Sequence, residues 1–145
     1  MPNRMKILFL CTGNSCRSQM AEGLARHIVG DRVEAFSAGT LPQKVNPFAV
    51  KVMEEIGVDI THHFSKSIDS LRAYSFDLVI TVCDDAHEQC PVWLGRGKVI
   101  HHSFDDPPKL ALSATTEAEA LVSYRRVRDE IRSYIEILSK SEIIK

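Results

Sequence analysis

The sequence lacks the features that mark membrane, fibrous and repeat proteins. Its longest apolar runs span only a handful of residues, far short of the roughly 20 needed to cross a bilayer. No internal repeat, low-complexity tract or Pro/Gly/Ser-rich linker divides the 145 residues. Residues 1–6 lead into an apolar run without the layout of a signal peptide. We therefore expect a cytoplasmic protein.

An excess of charge of either sign is also missing. The 18 basic and 19 acidic side chains leave a net charge of −1, whereas nucleic-acid binding rests on a positive excess. Apolar residues make up 44% and charged residues 26% of the chain, as in ordinary globular proteins. We expect one monomeric domain at 1–140 with a C-terminal tail at 141–145, binding neither nucleic acid nor membrane.

Cysteine is scarce for a disulfide scaffold, with four residues in the chain. In a reducing compartment, cysteines more often bind metal or carry out redox or nucleophilic chemistry. The pairs Cys11/Cys16 and Cys83/Cys90 lack the short Cys-x2–4-Cys spacing that zinc sites use on both arms. The sequence therefore predicts no metal site and no bound cofactor.

Short apolar runs predict the strands. Residues 6–10 and 76–82 have the composition of parallel strands buried on both faces. Weaker candidates lie at 32–38, at or near a sheet edge, and at 98–104. Helical patterns between the runs predict an α/β fold, a single open four-stranded parallel sheet flanked by helices.

Three helices are predicted from apolar periodicity and capping residues. The first follows Met20, Leu24 and Ile28 to Gly30; the second begins at Asn46-Pro47 and ends at Gly57. The last begins with a capping-box pattern at Thr116 and Glu119. Its apolar face is predicted to comprise Ala118, Leu121, Val127, Ile131, Tyr134, Ile135 and Leu138. Its charged residues, Arg125, Arg126, Arg128, Asp129, Glu130 and Arg132, mostly fall on the opposite face, predicted to be solvated rather than nucleic-acid binding.

A Cys-x5-Arg-Ser loop directly follows the first strand and opens into the first helix. Ligands of such sheets bind beyond the carboxyl ends of the strands. Backbone N–H groups that converge on a helix N-terminus form an oxyanion site. The candidate oxyanion-binding residues are Thr12, Gly13, Asn14, Ser15, Cys16, Arg17 and Ser18.

The same loop predicts a nucleophile at Cys11. Arg17 supplies a planar donor that matches a tetrahedral oxyanion, and N–H groups beside an arginine favour a thiolate. The Ser18 hydroxyl can donate a further hydrogen bond to the sulfur. The alternatives are an inert buried cysteine at position 11 and, for Cys16, a packing residue.

The stretch CTGNSCRSQMAEG resembles the low-molecular-weight protein tyrosine phosphatase superfamily, specifically its thioredoxin-coupled arsenate reductase branch. The resemblance continues through FSAGT, VNP, FDLVITVCDDAHEQCP, FDDPP and YRRVRDEI, over essentially the whole chain. It implies a low-molecular-weight phosphatase-like fold. The phosphatases share the Cys-x5-Arg loop, so the loop alone does not separate hydrolysis from reduction.

For the arsenate reductase branch, the resemblance implies a relay of three thiols. Cys11 attacks arsenate, Cys83 attacks the Cys11 sulfur, and Cys90 then takes over the disulfide for reduction by thioredoxin. Helical positions seven residues apart lie about 10.5 Å apart, whereas a disulfide needs Cα atoms within roughly 7 Å. We therefore expect the segment between Cys83 and Cys90 to unwind, although two ordinary core cysteines are the alternative.

The FDDPP motif resembles the general-acid loop of the family. The resemblance makes Asp106 the proton donor, with Asp105 as the second choice, and an acidic turn bounded by proline is the alternative. The residues that follow, 107–110, include no Tyr or Trp to hold a phosphotyrosine ring. Their composition favours a small inorganic oxyanion.

Some reductases of this branch hold potassium beside the loop, through residues matching Asn14, Glu22 and Ser37 and an acidic side chain near position 66. This chain has Lys66 there. We expect its ammonium group to pair with Glu22, and activity to be independent of potassium.

The sequence thus predicts reduction of arsenate to arsenite in arsenic detoxification, with electrons from thioredoxin. A glutaredoxin or a low-molecular thiol is an alternative reductant. A low-molecular-weight tyrosine phosphatase is the alternative enzyme, and a cysteine phosphocarrier is a less favoured one.

Overall fold

Four parallel strands form one sheet in a computed structural model that describes residues 4–83 and 92–144. The strands are β1 (Met5–Cys11), β2 (Val33–Gly39), β3 (Leu78–Thr81) and β4 (Lys98–His101), in the order β2-β1-β3-β4. The helices are α1 (Arg17–Val29), α2 (Pro47–Glu55), α3 (Pro107–Leu110) and α4 (Glu117–Ser139), with short 3-10 turns at Ile68–Leu71 and Ala111–Ser113. The predicted fold class is confirmed, as is the edge position of β2.

The central strand β1 is buried on both faces, which explains its unbroken apolar run. Ile7, Phe9 and Cys11 enter a large hydrophobic cluster formed with α1, α2 and α4. Leu8 and Leu10 enter a smaller cluster on the other face. β3 and β4 are shorter than predicted: β3 spans Leu78–Thr81, and β4 ends at His101.

Local signals set the bounds of α2. The Asn46 side chain caps the helix by accepting a 2.8 Å hydrogen bond from the Phe48 N–H, and Pro47 is the first helical residue. The helix ends at Glu55, and Gly57 takes a left-handed φ of 78°. The predicted start and stop are confirmed.

The start of α4 differs in one detail from a standard capping box. The Thr116 side chain accepts from the Glu119 N–H at 3.1 Å, as predicted. The Glu119 carboxylate, however, accepts from the N–H of Thr115 rather than that of Thr116. The hydrogen bond to the Glu119 side chain therefore comes from a residue one position earlier in the chain than in a standard capping box.

Two residues of α4 lie on faces that the sequence analysis did not predict. Ala118 is exposed. Arg128 is only 7% exposed, because its guanidinium donates to the Val52 carbonyl at 2.9 Å and to the Glu55 carboxylate at 2.9 Å. Val52 lies near the end of α2, where helical carbonyls lack intrahelical partners. Arg128 thus joins two helices, and the prediction of a solvated side chain was wrong.

The C-terminal end of the described chain packs against the core. Ile144, in the segment that the sequence analysis set apart as a tail, is buried in the large cluster. The proposed boundary between domain and tail stays a prediction. Within residues 4–83 and 92–144, no helix has the length and apolar character that crossing a membrane requires.

We predict that Arg128→Ala lowers the free energy of unfolding by about 2 kcal/mol, because it leaves the Val52 carbonyl without its donor and the Glu55 carboxylate with Arg125 as its remaining partner. The matched control is Arg132→Ala on the exposed side of α4, with an expected change within about 0.5 kcal/mol. Urea unfolding of both variants measures the difference. Equal losses for the two variants would contradict a joining role for Arg128.

Candidate active site

The predicted anion loop surrounds a small cavity at the carboxyl edge of the sheet. Cys11 is the last residue of β1, Arg17 is the first of α1, and residues 12–16 connect them. The cavity has a volume of about 210 Å³ and is lined by Cys11, Thr12, Gly13, Ser15, Cys16, Arg17, Gln43, Asp106 and Pro108. Seven of these nine residues were predicted as site residues. Asn14 and Ser18 do not line the cavity. Ser18 contacts the Cys11 sulfur, and Asn14 donates a hydrogen bond to Ser18 from behind the loop.

The Ser18 hydroxyl lies between the Asn14 amide and the Cys11 sulfur. The Asn14 amide Nδ2 donates to the Ser18 Oγ at 2.8 Å, and the Ser18 Oγ lies 2.9 Å from the Cys11 Sγ. Because the amide group only donates, the Ser18 oxygen accepts there and its own proton is available to the sulfur. The geometry thus suits a hydrogen bond from the Ser18 hydroxyl to the Cys11 sulfur.

The orientation of Asn14 is fixed by its neighbours. Asn14 is buried and takes a left-handed φ of 47°. Its Oδ1 accepts from the Gln19 Nε2 at 3.0 Å and from the Lys66 N–H at 2.8 Å. Its carbonyl accepts from the Ser65 hydroxyl at 2.7 Å. Two N–H donors on one side-chain atom identify that atom as the oxygen, so the amide nitrogen must face Ser18.

The loop carbonyls point outwards, towards the segment 40–46. The backbone N–H groups of Leu41, Gln43 and Asn46 donate to the carbonyls of Thr12, Gly13 and Ser15 at 2.8–2.9 Å. A planar peptide places its N–H opposite its C=O. Outward carbonyls therefore turn the loop N–H groups towards the cavity, as an oxyanion site requires.

Arg17 is buried beside the candidate acid. Its guanidinium donates to the Phe104 carbonyl at 3.1 Å and lies 3.7 Å from the Asp106 carboxylate. The backbone before Pro107 is extended at Asp106, as expected for a residue before proline, and the Asp106 side chain is 35% exposed. Asp105, the second choice, pairs instead with Arg126 at 2.9 Å and does not line the cavity.

Cys16 differs from Cys11 in its surroundings. Both are buried, free thiols. Burial, and then the nearby Asp106 and Cys11, raise the pKa of the Cys16 thiol well above its ordinary value. Cys16 therefore lines the cavity as a protonated thiol and not as a competing nucleophile.

The sheet places Cys83 beside Cys11. Leu10 of β1 pairs with Thr81 of β3, and the Val82 N–H donates to the Leu10 carbonyl at 2.9 Å. With neighbouring strands about 4.8 Å apart, the backbones of Cys11 and Cys83 lie roughly 6 Å apart. Both side chains are buried in the same cluster. Cys83 is disulfide-bonded, and Cys90, with the rest of 84–91, lies outside the described residues.

A buried carboxylate lies behind the loop. Glu22 accepts from the Ser37 hydroxyl at 2.6 Å, and it pairs with Arg26 at 2.9 Å and with the Lys66 ammonium at 3.7 Å. Burial lowers the pKa of the adjacent His63 to about 4, so this histidine is neutral at pH 7. The positive charges that balance the Glu22 carboxylate are therefore those of Arg26 and Lys66. The predicted pairing of Lys66 with Glu22 is confirmed. In the part of the chain that the structure describes, no group of His, Cys, Asp and Glu is arranged to hold a metal ion.

Sequence reasoning missed four residues of this site. Gln43 and Pro108 line the cavity, and Gln19 and Ser65 hold Asn14. Pro108 was noted only for not being aromatic. Gln43 and Ser65 lie in irregular segments, where no periodicity signals a contact, and a glutamine in the first turn of a helix is commonplace.

A comparison with protein families identifies the fold. The family described as low molecular weight phosphotyrosine protein phosphatase matches residues 6–141. This chain belongs to that family.

Within the phosphatase family, the chain is similar to proteins named arsenate reductase. The arsenate reductase of Bacillus subtilis (strain 168) is 48% identical over 131 residues, which are 90% of this chain and 91% of the relative. A solved arsenate reductase in the phosphate binding state superimposes with a TM-score of 0.72 at 31% identity, covering 92% of this chain and 95% of that one. A thioredoxin-dependent arsenate reductase from Corynebacterium glutamicum gives a TM-score of 0.67 at 29% identity, covering 94% of this chain and 61% of that one. The predicted family and branch are confirmed.

Because the Lys66 ammonium already lies beside Glu22, we predict that potassium does not bind there. The midpoint of thermal unfolding should be the same in potassium and sodium chloride at equal ionic strength, since a bound cation would raise it with concentration. Lys66→Met should lower the midpoint, whereas the exposed control Lys109→Met should leave it within about 1 °C. A midpoint of the unsubstituted protein that rises with potassium alone would refute the prediction.

Proposed function

We propose that this chain reduces arsenate to arsenite, the activity for which its relatives are named. One observation carries the proposal: the Cys11 sulfur, with a hydroxyl donor 2.9 Å away, faces a cavity of about 210 Å³ that also contains Arg17 and Asp106. None of the nine described residues lining this cavity is aromatic. These dimensions and donors suit a small tetrahedral oxyanion better than a phosphotyrosine ring.

In the first step, the oxyanion binds to the loop N–H groups and to Arg17, and the Cys11 thiolate attacks the arsenic atom. A sulfur–arsenic bond forms while the bond between arsenic and one hydroxyl group of the arsenate breaks. Asp106 supplies a proton to this hydroxyl group, which departs as water. The 3.7 Å separation of Arg17 and Asp106 supports this step, because both groups line the same cavity.

In the second step, the Cys83 thiolate attacks the Cys11 sulfur. A disulfide forms between Cys11 and Cys83 while the sulfur–arsenic bond breaks, and its electron pair stays on arsenic, which leaves as arsenite. The adjacent ends of β1 and β3 support this step, because they bring the two backbones within about 6 Å.

In the third step, Cys90 attacks Cys83, which frees Cys11 and leaves a disulfide between Cys83 and Cys90. The dithiol of thioredoxin then reduces this disulfide, so no cofactor needs to be bound. Two findings support the step: Cys83 is disulfide-bonded while Cys11 and Cys16 are free thiols, and one structural relative is named for its dependence on thioredoxin. A reducing compartment, the cytoplasm, suits this chemistry.

A low-molecular-weight tyrosine phosphatase would use the same Cys11, Arg17 and Asp106. It would need no Cys83 beside the nucleophile, and it would need a surface for the aromatic ring of its substrate. The described cavity lining offers no aromatic side chain for that ring. The phosphatase and the phosphocarrier are therefore less well supported than the reductase.

The proposal is tested by arsenate-dependent consumption of NADPH in the presence of thioredoxin and its reductase. We predict steady turnover for the unsubstituted protein. Cys90→Ser should release one arsenite per protein molecule and then stop, because the disulfide stays on Cys11. Hydrolysis of an aryl phosphate by the reduced protein, which needs only Cys11, serves as the control and should be the same in both proteins. Undiminished turnover by Cys90→Ser would overturn the relay.

A further inference from the structure

Gln43 is held against the anion loop by its backbone. Its N–H donates to the Gly13 carbonyl at 2.8 Å, and its carbonyl contacts the Ser65 hydroxyl. The same Ser65 hydroxyl contacts the carbonyl of Asn14. Although Gln43 is exposed, its backbone is therefore held in a fixed position relative to the loop.

The side chain of Gln43 lies over Gly13. A Cβ atom built at Gly13 would be 3.5 Å from the Gln43 Oε1 and 3.6 Å from its Cδ, which is van der Waals contact. The carboxamide therefore occupies the space above a residue without a side chain. From there it forms part of the cavity wall together with Pro108.

A carboxamide at this place has a defined chemical use. A tetrahedral oxyanion held by the loop N–H groups and Arg17 directs its remaining oxygen away from the loop. The Gln43 amide offers N–H donors to such an oxygen without adding charge. In an aryl phosphate, the fourth position is an ester oxygen that carries the ring. This oxygen is a weaker acceptor for the amide donors than a free oxyanion oxygen, and the side chain obstructs the ring.

We propose that Gln43 is a specificity-determining residue that favours inorganic tetrahedral oxyanions over aryl-substituted ones. It does so by donating to the outward oxygen and by occupying the space that an aryl group requires. The assignment of arsenate as the reacting oxyanion rests on the proposed function, whereas the preference for an unsubstituted anion does not.

The test measures binding through protection of Cys11 from alkylation by iodoacetamide, with the modified peptide identified by mass spectrometry. The probes are inorganic phosphate and phenylphosphonate, which carries the ring on phosphorus and is not hydrolysed. Gln43→Met keeps the side-chain volume and removes the donor, and Gln43→Ala removes both. Leu41→Ala, on the same segment with a side chain 67% exposed and outside the cavity lining, is the matched control.

We expect Gln43→Met to weaken phosphate binding about tenfold, as the loss of a hydrogen bond to a charged group predicts, and to leave phenylphosphonate binding unchanged. Gln43→Ala should weaken phosphate similarly and tighten phenylphosphonate. Leu41→Ala should change neither by more than about twofold. The proposal is overturned if the ratio of the two affinities in both Gln43 variants stays within twofold of that in Leu41→Ala.

Protection from alkylation is measured without turnover, so it tests the role of Gln43 independently of the proposed reduction of arsenate. If the protein failed to reduce arsenate but the Gln43 variants shifted the affinity ratio, the proposed function would fail and the role of Gln43 would stand. If arsenate reduction were observed and the affinity ratio did not shift, the proposed function would stand and the role of Gln43 would fail.

Discussion

The geometry of the candidate site depends on the contact between the Ser18 hydroxyl and the Cys11 sulfur. The Asn14 amide donates to the Ser18 oxygen, which leaves the Ser18 proton available to the Cys11 sulfur at 2.9 Å. The donors on Asn14 Oδ1 exclude the flipped amide. Hydrogen bonds behind the loop thus position the Cys11 sulfur, the nucleophile of the proposed reaction, while Cys11 also lines the cavity.

The parallel sheet places the other groups around this nucleophile. Because β1 and β3 are neighbours in register, Cys83 follows its strand beside the point where Cys11 ends its own. The Phe104 N–H donates to the Val82 carbonyl, and the Phe104 carbonyl accepts from Arg17. One edge of the sheet therefore fixes the nucleophile, the second cysteine and the start of the acid loop.

The sequence was informative where local rules decide the outcome. Continuous apolar runs, the Asn46-Pro47 start of α2 and the Cys-x5-Arg loop each follow from residues close together in the chain. Periodicity located the buried face of α4 but misplaced Arg128, because a helical pattern does not reveal that a carbonyl of α2 needs a donor. Gln43 was missed for a similar reason: its contact with Gly13 joins two irregular segments, 30 residues apart in number.

The most direct test of the account is the rate at which iodoacetamide alkylates Cys11 at pH 7 in Ser18→Ala. Loss of the Ser18 hydrogen bond should lower the rate at least about tenfold, because the sulfur loses the donor that supports it as a nucleophile, whereas Ser133→Ala on the exposed face of α4 should leave the rate unchanged. A tenfold separation between the two variants is the expected result. Equal rates for Ser18→Ala, Ser133→Ala and the unsubstituted protein would show that the Ser18 hydroxyl does not support the reactivity of Cys11, and would contradict the central role of this hydrogen bond.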